Sequence, residues 1–60
     1  MGNDSLQELN DKIELIKKTA QEMSDMAVDF PSLYRNSRRI LASIEMLELN
    51  ISDLNNLIDP

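Results

Sequence analysis

Few residues in this 60-residue chain can do chemistry. Histidine, cysteine and tryptophan are all absent, which removes the commonest metal ligand, thiolate chemistry and the usual general base. Carboxylate pairs one turn apart remain at Glu45/Glu48 and Asp25/Asp29, a spacing that lets two carboxylates share a cation. Carboxylate-bridged di-metal bundles add an inward-facing Glu-x-x-His, which a chain without histidine cannot form. Tyr34 and Ser37 carry hydroxyls, but no base is available to activate either one. The sole glycine, Gly2, cannot make a phosphate-cradling loop. The remaining cluster is basic: Arg35, Arg38 and Arg39 beside Tyr34. Arginines next to an aromatic ring can hold RNA, although a net charge of −5 argues against phosphate-backbone binding as the main activity. No enzymatic activity, metal or cofactor is expected.

These side chains ride on two predicted helices. In the first, apolar residues fall at Leu6, Leu9, Ile13, Ile16, Ala20, Met23, Ala27 and Phe30. The spacing alternates three and four, the a/d seam of a helix packed lengthwise on another. Ser5-Leu6-Gln7-Glu8 reads as a capping box at its start. Pro31 interrupts the pattern, disfavouring helix at Phe30 and suiting the first turn of a second helix, with Asp29 or Ser32 as its cap. The second seam runs Leu33, Ser37, Ile40, Ile44, Leu47, Ile51, Leu54 and Ile58. The expected architecture is all-α: an antiparallel two-helix, coiled-coil-like hairpin, with helix one over about 5–29, a turn near 30–32 and helix two over about 32–58.

A hairpin this small lacks core. Chains of about 60 residues bury only about 60% of their unfolded surface, and disulfides and thiolate metal sites are excluded here. Both helices also carry apolar residues outside the seam: Leu15, Met26 and Val28 on the first; Tyr34, Leu41, Met46, Leu49 and Leu57 on the second. Stripes wider than a/d belong to multi-helix bundles. Dimerisation into a four-helix bundle is therefore expected, with docking on another protein as the second form. Tyr34, Arg35, Arg38, Arg39, Leu41 and Met26 are the candidate interaction residues.

Charge refines the expectation. Glu22, Asp25 and Asp29 approach Arg35, Arg38 and Arg39 at the turn end. The open end gathers Asp4, Glu8, Asp11, Asp53 and Asp59. It could meet a basic partner surface or stay solvated. No apolar run is long enough for a membrane span or signal peptide, so the expected setting is cytoplasmic.

The turn segment, Glu22-Met23-Ser24-Asp25-Met26-Ala27-Val28-Asp29-Phe30-Pro31-Ser32-Leu33-Tyr34, resembles a family of short helical-hairpin proteins encoded beside bacterial nitrogen-fixation genes. That family carries a run of the form D-L-H-D-L-A-E-D-L-P-T-x-W at its turn. Asp25, Ala27, Asp29 and Pro31 coincide with it, while Ser24 stands in place of its His and Val28 in place of an acid. The resemblance covers about a quarter of the chain. It implies an all-helical oligomer acting as an accessory in nitrogen fixation. Two functions follow as expectations: a non-enzymatic, self-associating interaction protein, or a small RNA-binding hairpin dimer using the arginines near the turn.

Overall fold

A computed structural model describes the backbone of residues 2–58 and the side chains of residues 5–57. The chain forms two helices, α1 (Gly2–Met26) and α2 (Pro31–Ile58), packed against each other as a hairpin 44 × 15 × 11 Å in extent. Among the described residues there is no strand.

Local chemistry sets the boundaries, with some differences from expectation. α1 begins before Ser5, so Ser5 lies inside the helix and its capping box with Glu8 does not form. Continuing a helix adds one backbone bond per residue, which satisfies the amides the box would have served. At its other end α1 stops after Met26, three residues early, and residues 27–30 make the turn. The Ala27 amide donates to the Ser24 carbonyl at 3.2 Å and the Phe30 amide to the Ala27 carbonyl at 2.9 Å. Phe30, rather than Asp29 or Ser32, occupies the N-cap of α2: its carbonyl accepts the first helical bond, from the Tyr34 amide at 2.8 Å. Pro31 then takes the first helical position, where a missing N–H costs nothing. No residue in the turn needs positive φ, which explains how it closes without glycine.

The interhelix seam is rotated from the predicted one. On α1 the buried and half-buried positions are Leu6, Asn10, Ile13, Lys17, Ala20, Ser24 and Ala27; on α2 they are Ser37, Leu41, Ile44, Glu48 and Ile51. Every second predicted residue is retained. Of the others, Leu9, Ile16 and Met23 on α1 and Ile40 and Leu47 on α2 give way to the residue that follows each, while Phe30, Leu33 and Leu54 are left exposed with no replacement in the seam. Because successive helical residues are 100° apart, this swap turns the contact line by about 50° on each helix. Small side chains favour the rotation, since Ala20, Ser24, Ala27 and Ser37 let the backbones approach closely toward the turn. Midway along, Lys17 and Glu48 span the seam with their charged tips at its edge. Ile58 lies outside the described side chains.

Candidate functional site: an unpartnered apolar face

Rotation of the seam leaves half of the predicted core outside it. Leu9, Ile16 and Met23 on α1, Phe30 at the turn, and Leu33, Ile40, Leu47 and Leu54 on α2 are each 42–60% exposed. Within each helix they repeat every seven residues and so form one column per helix. The two columns flank the same side of the seam: Ile16 and Met23 line one groove of about 400 Å³ with Ile40, Leu15, Thr19 and Ala20. Met26, 81% exposed, lies one heptad beyond Thr19, and the corresponding column of α2 holds Asn36, Ser43, Asn50 and Leu57. Across these four columns Lys12 is the one charged side chain. Single exposed leucines need no explanation, but a contiguous strip running the length of a hairpin does.

The opposite edge of the seam is polar. The Lys17 ammonium donates to both carboxylate oxygens of Glu48 at 3.1 Å. Hydrogen bonding to Glu48, followed by its charge, holds the Lys17 pKa above its ordinary value. Glu14 joins them from one turn earlier on α1. Hydrogen bonding with Glu48, then desolvation, raises the Glu14 carboxyl, while bonding with Glu14 and Lys17 lowers Glu48. The cluster is a half-buried cross-helix staple at the edge of the seam, where water still screens the charges. It also takes Glu48 out of the proposed Glu45/Glu48 pair. Among the described residues no group of three or more acidic side chains converges on a metal position.

At the turn, Tyr34, Arg35, Arg38 and Arg39 do come together, lining an open hollow of about 650 Å³ with Val28 and Pro31. The ion pairs expected there are absent. Among the described residues no carboxylate lies within 4.0 Å of any of the three arginines, and Lys17–Glu48 is the sole salt bridge. Two of the other expected interaction residues separate from this cluster. Met26 belongs to the apolar face. Leu41 is a correction: at 8% exposure it packs with Ile13, Ala20, Ile44 and Ile51 inside the hairpin and is not available to a partner. The signal for this lay in register, since Leu41 follows Ser37 by four and precedes Ile44 by three, on the side where small residues face it.

No protein-family model, curated protein or solved structure matches this chain. Among the described residues no helix is long and apolar enough to cross a membrane.

Proposed function

We propose that this chain is a non-enzymatic interaction protein, a helical hairpin that self-associates through its apolar face into a four-helix bundle. Its surface carries the argument. A compact monomer of 6.9 kDa exposes about 4,000 Å², against 4871 Å² here, an excess of about 900 Å². A standard protein interface covers about 800 Å² per partner, so one face-to-face contact would remove the excess. The footprint agrees, since the hairpin's 44 × 15 Å outline encloses about 660 Å² before side chains are added. Side chains that are half exposed in one hairpin would become the central layers of the bundle. Native mass spectrometry at micromolar concentration tests this: the reading expects twice the 6.9 kDa chain mass, and a monomer throughout would end it. A cytoplasmic setting and the accessory role in nitrogen fixation implied by the turn-segment resemblance belong to the same proposal.

One observation favours a second reading, the RNA-binding hairpin dimer. Three arginines without carboxylate partners surround Tyr34 on an open surface, an arrangement suited to phosphates and a stacked base. It expects salt-sensitive RNA retention that disappears when Arg35, Arg38 and Arg39 become Ala. Absence of retention at low salt would dismiss it.

A further inference from the structure

Two hairpins can stack their apolar faces in two ways: turn over turn, or inverted, with the turn of each over the open end of the other. Both superpose the apolar layers. In the inverted arrangement a two-fold axis passing between Ile16 and Leu47 sets each of these against its own copy and brings Ile40 opposite Leu54 of the second chain. Charge separates the two arrangements.

The turn end is balanced, with Glu22, Asp25 and Asp29 against Arg35, Arg38 and Arg39. The open end is not. Among the described side chains Glu8, Asp11 and Asp53 gather there with only Lys12, three carboxylates against one ammonium and a net charge of −2. A turn-over-turn dimer would gather two such ends, four net negative charges among the described side chains, at one pole of the bundle. The inverted dimer sets each acidic end beside a neutral end that holds three arginines unpaired within their own chain. The columns bordering the apolar face carry this down to single residues. Arg39 on one hairpin and Asp53 on the other lie nearly equidistant from Leu47, within about one helical turn of each other across the axis. Complementary potentials of this kind fix orientation more than affinity.

Building on the self-association proposed above, we infer that the partner on the apolar face is a second copy of this chain, inverted, with its acidic open end over the arginine-bearing turn. The absence of native cysteine permits a direct test. Ser32→Cys at the turn and, in a separate sample, Ser5→Cys near the open end each carry a nitroxide at an exposed position. Sedimentation on the same samples reports mass, and pulsed electron resonance reports the distance between labels. The inverted dimer gives dimer mass and separations of about 40 Å for Ser32→Cys, the length of a 28-residue helix, with a similarly long value for Ser5→Cys. Dimer mass with separations under about 20 Å, as stacked helices 8–10 Å apart would give, overturns the orientation and leaves self-association standing. Monomer mass overturns both.

Discussion

Truncating the centre of the apolar face should separate association from folding. Ile40 and Leu47 are each 42% exposed in the single hairpin. Full burial of such a side chain contributes about 1.5–3 kcal/mol, so the part still exposed can add about 0.6–1.3 kcal/mol when a second hairpin covers it. The Ile40→Ala/Leu47→Ala variant removes four such contributions from a symmetric dimer, about 2.5–5 kcal/mol in total. At 1.4 kcal/mol per tenfold, the dimer Kd should rise about 60- to 4,000-fold. Ala is the best helix former, so the backbone is not penalised by the change. The assay is analytical ultracentrifugation across a concentration series, with circular dichroism on the same samples. At concentrations high enough to restore the dimer, helicity should return to the wild-type level. A double variant that associates as tightly as the wild type would show that the face is not the interface.

Four further outcomes are expected. Ile44→Asp places a charge at a position only 3% exposed within the hairpin, a loss of several kcal/mol, and should unfold the chain at every concentration in far-ultraviolet circular dichroism. Ala20→Leu adds bulk at a position only 3% exposed within the seam and should cost about 1–3 kcal/mol, visible as a lower urea midpoint. Lys17 has its pKa raised above 10.5, so its contribution is complete below that value and is lost as pH rises through the raised one. The wild-type melting temperature should therefore fall at strongly alkaline pH by more than that of Lys17→Met. On the acid side the two carboxylates act in opposite senses. Glu14, raised above 4.5, adds stability as pH falls through its raised value, whereas Glu48, lowered below 4.5, loses its contribution beneath that pH; the melting difference between the wild type and Glu14→Gln/Glu48→Gln should therefore grow as pH falls toward 4.5 and shrink below it.

The sequence carried the architecture more clearly than the contact line. Two heptad-patterned segments split by Pro31 could hardly form anything but a helical hairpin, and Pro31 does begin α2. The rotation of the seam was harder to see. An a/d pattern states which residues are apolar, but it does not say whether a given column faces the other helix of the same hairpin or a second layer. Leu9, Ile16, Met23 and Phe30 satisfy the pattern equally well in either role. The clue lay in the polar and small residues: Ser24 and Ser37 at nearly closed positions, and Lys17 level with Glu48. Pairing those two fixes the register between helices, yet only the folded backbone shows that they meet. The arginine cluster was legible from spacing alone, because Tyr34, Arg35, Arg38 and Arg39 fall within two turns of one helix. The expected ion pairs to Glu22, Asp25 and Asp29 were not, because proximity at a hairpin end leaves long side chains free to stay solvated.

On the proposed function, a second copy of the chain completes the core. Sedimentation equilibrium over a thousandfold concentration range, with helicity followed on the same samples, tests it most directly. A dimer whose mass and helicity fall together on dilution is expected. A monomer that keeps full helicity at every concentration would contradict it.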